Sequence, residues 1–521
     1  MARNGNIILA KGIGMDKEHK NIVNYSSTQM LTLLRSQAHF VGEKTDYSFI
    51  KENGKGGNVI ATNFTYQECK NANYIAFQNP TYYNKWVFAF IDEVTYENNG
   101  CTKITFTVDN WATWYDNLTF KSCFVIREHV NSDTIGEHTI PEGLETGEMI
   151  SSGVIRDTEL DSFSYIIQVT EFLSDTPGEP TRLATNFGGI AMPGGAYIAS
   201  DFAIASNIIA GYQTGRQDAV FNVYICPTKI INNTSSDAKY SGQVSPVTYT
   251  KTITKPTTIG SYTPVNKKVL TYPYTYLILD NNNGMGNVLQ YELFSTTDCV
   301  FEVRGVPTVG ASIKCVPKDY KGQSLAEQEG IMCGKFPTCG WVNDTYTNWL
   351  TQNAVNVGFG VVSSGLSVLG GAVATAVNPI AGIGTMISGG LNIAQSMMQI
   401  HQHQILPDTA KGNINGGDIN TCSSTNSFYF IKMNIKEEFA RSIDAYFTRH
   451  GYKVNALKIP NITGRTYWNY VEIGAGEDVA FGNLPVGAME EINNIFRSGT
   501  TIWHNHDNIG NFSLNNTIVT P

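Results

Sequence analysis

The stretch WVFAFI at residues 86–91 is followed by ENNG at 97–100 and then by KITFTV at 103–108. The last of these alternates Ile104, Phe106 and Val108 with threonine, which is typical of a half-buried strand. An Asn-Gly turn between two such runs is the strongest short-range signal of a β-hairpin. The sequence therefore predicts β-structure around this turn.

The same pattern recurs further along the chain. YPYTYLIL at 272–279 meets NNNG at 281–284 and continues through VLQYEL at 288–293. Threonine, valine and tyrosine also dominate residues 246–263, a composition that favours strands. We predict a β-rich N-terminal domain over 1–155 and one or more β-rich middle domains over 156–340.

The composition supports a multidomain β-protein. The chain has 521 residues, of which 42% are apolar and only 16% charged, and it carries 49 glycines and 26 tyrosines. Charged residues average roughly 25% in globular proteins, so neutral polar residues replace them here. The net charge of −9 argues against a main function of wrapping nucleic acid.

The C-terminal part has a different periodicity. Residues 436–450 place Phe439, Ile443, Tyr446 and Phe447 on one helical face, with Gly451 after the end. A second helix is predicted at 486–498, and strands at 427–433, 452–458, 466–473 and 500–504. This β-α-β-β-α-β order matches a split βαβ unit, so we assign residues 421–521 to a C-terminal α+β portion.

Residues 345–407 contain no Asp, Glu, Lys or Arg. Two apolar stretches, 354–377 and 380–400, are each near the roughly 20 residues that cross hydrocarbon as a helix. Asn378 and Pro379 lie between them and predict a turn. Many glycines dilute the apolar residues and weaken each helix in water, but they allow close packing of neighbouring helices.

Two interpretations of this segment remain open. It is a membrane-active or self-associating hairpin, or it is the buried core hairpin of an ordinary soluble domain. A segment without any solvating charge has no evident water-facing side, which favours the first interpretation. We therefore treat residues 341–420 as a long apolar loop or hairpin.

Residues that could carry chemistry are few. The nine cysteines are irregularly spaced without a CxxC pair, which argues against a disulfide framework or a zinc module. His401 with His403, and His504 with His506 and Asp507, lack a second ligand cluster, so we predict no metal. Glu128 and His129 are adjacent, and we interpret them as polar loop residues. No enzyme motif is present, so we predict no catalytic residues and no cofactor.

Three stretches together resemble the tail-knob proteins of phi29-like short-tailed bacteriophages. They are residues 72–130, with NANYIAFQNPTYYNKWVFAF and FKSCFVIREHV, the apolar segment, and residues 427–513, with YFIKMNIKEEFARSIDAYFTRHGYKVN and GTTIWHNHDNIGNFS. The resemblance implies a mainly β, multidomain fold, in which tail-tube-like domains form a ring or tube. The C-terminal portion would complete that tube.

The resemblance also implies a structural virion protein at the distal end of the tail. The tube, a homohexamer, would conduct the genomic DNA without specific contacts, and it would join lower collar or connector proteins and a tail-tip protein. The apolar loops would plug the exit and then insert into the host cell membrane. The residues that would contact lipid are Phe359, Val361, Leu366, Leu369, Val373, Ile380, Ile383, Ile387, Met397 and Met398.

Two other classes of protein share some of these features. A stand-alone pore-forming protein would carry a similar apolar hairpin, and a tail-associated polysaccharide or peptidoglycan hydrolase would digest cell-wall or capsule polymer. Only four apolar residues, Ile7–Ala10, precede Lys11, which is too short for a secretory signal. We expect synthesis in the host cytoplasm and assembly into the virion.

Overall fold

The computed structural model describes most of the chain outside the apolar segment. The described residues are 3–54, 57–79, 84–173, 184–187, 190–193, 195–212, 219–231, 237–240, 243–244, 247–281, 285–305, 313–333, 338–341, 412–415 and 427–519. Within these ranges, no helix is both long and apolar enough to cross a bilayer.

Strands dominate the described part. In chain order they are β1 Arg3–Ala10, β2 Asn21–Val23, β3 Phe40–Gly54, β4 Gly57–Thr62, β5 Tyr74–Asn79, β6 Lys85–Asn98, β7 Cys101–Val108, β8 Leu118–Phe120, β9 Cys123–Glu128, β10 Met149–Arg156, β11 Phe163–Val169, β12 Ala184–Phe187, β13 Ile190–Pro193, β14 Gly195–Ala199, β15 Val220–Pro227, β16 Asp237–Tyr240, β17 Gln243–Val244, β18 Val247–Ile253, β19 Thr275–Asp280, β20 Gly286–Leu289, β21 Cys299–Gly305, β22 Ile313–Tyr320, β23 Gln323–Leu325, β24 Ile331–Cys333, β25 Thr338–Trp341, β26 Gly412–Asn415, β27 Tyr429–Ile435, β28 Tyr452–Lys458, β29 Trp468–Ile473, β30 Ala480–Gly482 and β31 Thr500–Trp503.

The α-helices of the described part are fewer and mostly short. They are α1 Ser27–Leu34, α2 Tyr66–Cys69, α3 Asn110–Trp114, α4 Phe202–Gly211, α5 Glu437–His450 and α6 Val486–Ser498. The predicted mainly β fold is confirmed. Both predicted hairpins are confirmed as well, since β6 pairs with β7 across the Asn-Gly turn and β19 pairs with β20.

The chain folds into two compact units that are not contiguous in sequence. Unit 1 contains residues 1–146, 262–269 and 437–521, and unit 2 contains 147–261 and 270–436. The four-part division made from the sequence is linear, whereas each of these units combines segments that are distant in sequence. Periodicity reports local structure and cannot show which distant segments pack together.

A closed six-stranded sheet forms the first part of unit 1. Its order is β1-β3-β4-β7-β6-β5, and β5 pairs with β1 to complete the ring. Alternate residues of each strand point inward, because side chains of a strand alternate between its two faces. Ile7, Leu9, Ile75, Phe77 and Phe106 thus share one buried cluster.

The outer face of the same strands packs against the C-terminal part of the chain. Ile8, Tyr74 and Phe88 join Trp468 and Trp503 in a second buried cluster. β2 also pairs in parallel with β31. These contacts explain why residues from both ends of the chain belong to one unit.

The predicted C-terminal elements are confirmed in order, but their pairing differs from that of a self-contained split βαβ unit. Three of the strands, β28, β29 and β31, lie in a five-stranded sheet of order β2-β31-β29-β9-β28. The first strand, β27, instead lies between β10 and β19 in a sheet of unit 2. β9, from the N-terminal part, takes the position between β29 and β28.

A buried carboxylate on α5 holds the segment 262–269 in unit 1. The Asp444 carboxylate accepts hydrogen bonds from the Tyr262 hydroxyl at 2.6 Å, the Val265 amide at 2.8 Å and the Asn266 amide at 2.9 Å. The Asn266 side chain donates a further bond to Asp444 Oδ1 at 2.8 Å. One charged group thus satisfies two backbone donors of an irregular segment.

Unit 2 is built around a larger core shared by three sheets. Their orders are β10-β27-β19-β20, β18-β21-β22-β23 and β16-β14-β11-β15-β25-β26. Ile166 and Tyr224 of the third sheet, Leu277 and Phe430 of the first, and Phe301 of the second lie in one buried cluster. On the other side of β11 and β14, a smaller cluster includes residues of α4.

Two histidines of unit 1 are held neutral by burial. His129 Nδ1 accepts a hydrogen bond from the Tyr470 amide at 2.8 Å, and its Nε2 lies 3.1 Å from the Thr448 carbonyl oxygen. Burial, together with the charge of Arg465, lowers the pKa of His129 to about 3. Burial and the charge of Arg127 lower the pKa of His450 to about 4.

We expect Asp444→Ala to destabilise unit 1 by about 3 kcal/mol, because it leaves the backbone amide and the side chain of the buried Asn266 without their acceptor. Glu438→Ala is the matched control, since it removes an exposed carboxylate from the same helix and should change stability by less than about 0.5 kcal/mol. Chemical denaturation of both variants measures the difference. Equal midpoints for the two variants would contradict this role of Asp444.

We also expect the free energy of unfolding to depend on pH below about pH 6.5. An unfolded histidine has a pKa of about 6.5, whereas folded His450 has a pKa of about 4. Unfolding therefore takes up protons in this interval, so stability falls as pH falls from 6.5 toward 4. His450→Gln should lower the slope of the free energy of unfolding against pH, between pH 6 and pH 5, by up to about 1.4 kcal/mol per pH unit. Denaturation curves at several pH values measure it, and an unchanged slope would refute the assignment.

Candidate functional site

The apolar segment begins and ends at two strands that pair with each other. β25 and β26 are antiparallel, and their register is Thr338 with Asn415, Cys339 with Ile414, Gly340 with Asn413 and Trp341 with Gly412. The two ends of the segment 342–411 therefore lie at neighbouring positions of one sheet. We call these two paired strands the base of the apolar segment.

The base is continuous with the six-stranded sheet of unit 2. β25 pairs with β15 through Asn222, Val223 and Tyr224. β15 in turn pairs with β11 along nearly the whole length of both strands. Backbone hydrogen bonds therefore connect the base to the centre of a sheet.

Both faces of that sheet are packed. Ile166, Ile198 and Tyr224 point into the large core of unit 2. Ile167 and Tyr197 point the other way, into the cluster with α4. A sheet that is covered on both sides has little freedom to bend, so it provides a fixed platform for the base.

Tyr224 and Cys226, on the strand that supports the base, lie in the large buried cluster of unit 2. Burial raises the pKa of the Cys226 thiol and of the Tyr224 hydroxyl well above their usual values. Both groups therefore remain neutral at physiological pH. The strand that supports the base is held by apolar packing and backbone pairing.

The predicted lipid-contacting residues and the predicted turn lie outside the described residues. This applies to Phe359, Val361, Leu366, Leu369, Val373, Ile380, Ile383, Ile387, Met397 and Met398, and to Asn378 and Pro379. Their assignment stays a prediction. The sequence analysis did not predict the base itself, because TCGW and GNIN are too short to show strand periodicity.

The histidine pairs considered as metal ligands fall into two groups. His401 and His403 lie outside the described residues. His506 lies within 4.8 Å of His39 and Asp507, measured between their possible ligand atoms. However, His506 Nε2 accepts a hydrogen bond from the Gly14 amide at 3.0 Å, so in the neutral ring Nδ1 carries the proton. A metal at Nδ1 would require that bond to break.

Glu128 and His129 are buried, so their interpretation as polar loop residues was wrong. Glu128 ends β9, and its carboxylate accepts hydrogen bonds from the Lys458 ammonium and, at 2.8 Å, from the Asn461 amide. Only 2% of His129 is exposed. The two residues stabilise the five-stranded sheet of unit 1, and adjacency in sequence did not reveal their burial.

The architecture defines a class of structural protein. Strands are the commonest element in the described parts of both units, and a charge-free segment lies between two paired strands of a packed sheet. This is the organisation of a mainly β protein with a long insertion between two paired strands.

Comparison with known proteins identifies the family. The family described as Bacillus phage phi29, Tail knob protein gp9, C-terminal domain, matches residues 236–517. The caudoviral major tail protein N-terminus matches residues 3–119, which include the closed sheet. The chain therefore belongs to the phi29 tail-knob family, and it is a structural tail protein of a phage virion.

Relatives cover nearly the whole chain. The tail knob protein gp9 of Bacillus phage phi29 is 23% identical, with 98% of each chain covered, and that of Bacillus phage PZA is 25% identical, with 95% of this chain and 96% of that protein covered. The solved structure of the bacteriophage C1 tail knob protein gp12 has the same fold, with a TM-score of 0.63 at 15% identity over 99% of this chain and 100% of that one. These relatives are structural proteins rather than enzymes.

The paired base predicts that the apolar segment can be removed without loss of the fold. A two-residue Asn-Gly turn between Trp341 and Gly412 should close β25 and β26 as a hairpin, because this turn matches the twist of antiparallel strands. We expect the melting temperature of the variant to lie within a few degrees of that of the intact chain. Removing residues 338–415 instead, which takes out β25 and β26 but keeps β24, serves as the contrast. The pairing would be contradicted if the Asn-Gly variant failed to fold, or if its melting temperature were no higher than that of the variant that lacks β25 and β26.

Proposed function

We propose that copies of this chain form the distal tube of the tail, through which the genome leaves, and that residues 345–407 close its exit before ejection. On contact with the host, the segment leaves the tube and inserts into the cell membrane as a channel. We expect a homohexamer attached to lower collar or connector proteins and to a tail-tip protein. The observation that carries this proposal is the charge-free segment anchored at both ends in one packed sheet.

The anchoring fits a segment that must change its surroundings without detaching from the virion. Both ends remain on neighbouring strands whichever way the intervening residues turn. In the plugged state, apolar side chains of neighbouring copies exclude water from one another. In the inserted state, lipid replaces those neighbours, so both states bury the same apolar surface.

The composition of the segment supports such a switch. Residues 358–390 include nine glycines, and these permit close packing of copies before release. No charged side chain opposes entry into hydrocarbon. A charged residue at the centre of a membrane helix costs about 2.5–3.5 kcal/mol on insertion scales.

The net charge of the chain is compatible with a conduit for DNA. It is −9, with a sequence pI of about 5.5. A protein that binds DNA tightly through phosphates needs lysine and arginine in excess. A wall without that excess would let DNA pass without specific contacts.

Charge substitutions in the segment test the membrane step. Val361→Lys, Val373→Lys and Ile383→Lys together should abolish dye release from anionic liposomes, because three buried ammonium groups would oppose insertion by about 8–10 kcal/mol. The intact chain and a variant with Leu at the same three positions should both release dye. Equal release from the lysine and leucine variants would rule out insertion by this segment.

Tube formation requires a separate measurement. Electron micrographs of the purified variants should show rings or tubes for the lysine variant as well as for the intact chain, since the base and the described parts of both units are unchanged. Loss of rings together with loss of dye release would show that the segment is needed for assembly, which contradicts its proposed role in the membrane step alone.

A further inference from the structure

The hairpin of β6 and β7 in unit 1 ends in a short turn made of Asn99 and Gly100. Asn98 pairs with Cys101 as the last pair of the two strands, so the turn residues take no part in the backbone ladder. Every residue from 95 to 100 is exposed. The Asn99 side chain and the Gly100 amide are therefore open to water.

The side-chain carboxamide of Asn99 is polarised by a tyrosine. The Tyr96 hydroxyl donates a hydrogen bond to Asn99 Oδ1 at 2.9 Å. The Tyr96 ring contacts the Tyr66 ring edge-on, with centroids 6.3 Å apart, and this contact orients the hydroxyl. A donor aimed at a carbonyl oxygen stabilises the negative charge that develops on that oxygen when a nucleophile attacks the carbon. The contact with Tyr96 thus favours attack at Asn99 Cγ.

The backbone nitrogen of Gly100 is the nucleophile that follows this carbon in the chain, and its attack closes a five-membered ring. Its N–H donates a hydrogen bond to Asn98 Oδ1 at 2.9 Å, as in an Asx turn. A side chain rather than the sheet ladder therefore holds the nitrogen. Apart from the chain neighbours, only Asn98 Oδ1 lies within 4 Å of where a Cβ atom of residue 100 would be, at 3.8 Å. The approach to Asn99 is thus unobstructed.

We propose that Asn99 is a site of spontaneous deamidation. The Gly100 nitrogen loses its proton to solvent hydroxide and attacks Asn99 Cγ. The bond from Cγ to the carboxamide nitrogen breaks, and ammonia leaves with a proton taken from water. One water molecule then opens the resulting succinimide ring to aspartate or to isoaspartate. Nothing is oxidised or reduced, water is the only co-reactant, and the site is independent of the proposed tube.

Both products change the end of the hairpin. Aspartate adds a negative charge beside Glu97, which forms an ion pair with Lys103. Isoaspartate passes the main chain through the side-chain carbon and so lengthens the turn. Because the length of a turn sets the register of a hairpin, the pair of Asn98 with Cys101 is then no longer matched. A virion protein is not renewed after assembly, so modified copies accumulate with time.

A second Asn-Gly pair in unit 1 provides an internal reference. Asn4 and Gly5 lie in β1, where Asn4 pairs with Asp46 of β3, and Gly5 is buried. Ring closure requires rotation of the backbone between the two residues, and a paired, buried strand opposes that rotation. We therefore expect deamidation at Asn99 and none at Asn4 over the same time.

The test incubates the full chain at mildly alkaline pH and follows the masses of its peptides after pepsin digestion in acid. The peptide with Asn99 should gain the mass difference between an OH and an NH2 group, and fragment spectra should assign it to Asn99. The gain should be faster at higher pH, because the attacking nitrogen must lose a proton. An unchanged mass, a gain assigned to Asn98, or an equal gain at Asn4 would overturn the proposal.

Two variants test the parts of the mechanism. Gly100→Ala adds a methyl group that the turn accommodates but that hinders ring closure, so it should slow the reaction about tenfold. Tyr96→Phe removes the hydrogen bond to Asn99 Oδ1 and should slow it about fivefold. Tyr272→Phe, at another exposed tyrosine, is the matched control and should leave the rate unchanged.

The two variants have separate consequences for the proposal. An unchanged rate in Gly100→Ala would overturn attack by the backbone nitrogen. An unchanged rate in Tyr96→Phe, or an equal loss of rate in Tyr272→Phe, would overturn activation by the tyrosine hydroxyl. Because Tyr96 and Gly100 are exposed, both variants should fold, and the mass change in the intact chain tests the site without any substitution.

Discussion

The antiparallel pairing of β25 with β26 is the constraint on which the functional interpretation depends. It fixes the two ends of a long charge-free segment at neighbouring positions of a sheet that is packed on both faces. Without this pairing, residues 345–407 would be an unanchored linker between two parts of the chain. With it, the segment is an insertion between two paired strands, and the proposed exchange of one apolar environment for another would leave both of its ends in place.

Unit 1 is also held together by contacts between segments that are distant in sequence. β2 pairs with β31, β9 lies between β28 and β29, and Asp444 holds the segment 262–269. The contacts are of two kinds, backbone ladders and buried charged acceptors. Both are directional and lose much free energy when one partner is absent, so they determine which distant segments meet.

Low sequence identity to the relatives is consistent with this construction. The chain is 23% identical to its phi29 relative over nearly the full length of both. A closed or packed β-sheet requires apolar residues at alternate positions but accepts many different side chains there. The sheet that carries the base depends on strand topology rather than on any short sequence motif.

The sequence by itself determined the local structure and the unusual segment. The Asn-Gly turns and the alternation around Phe106 predicted both hairpins, the period of 3.6 predicted α5 and α6, and the missing charges identified residues 345–407. These features are local, and each depends on the properties of neighbouring residues alone. Tertiary structure decided the rest. It assigned β27 to unit 2, buried Glu128 and His129, and brought TCGW and GNIN together as the base. Pairing between distant strands depends on which surfaces are buried in the folded chain. Periodicity along the sequence does not indicate which strands those are.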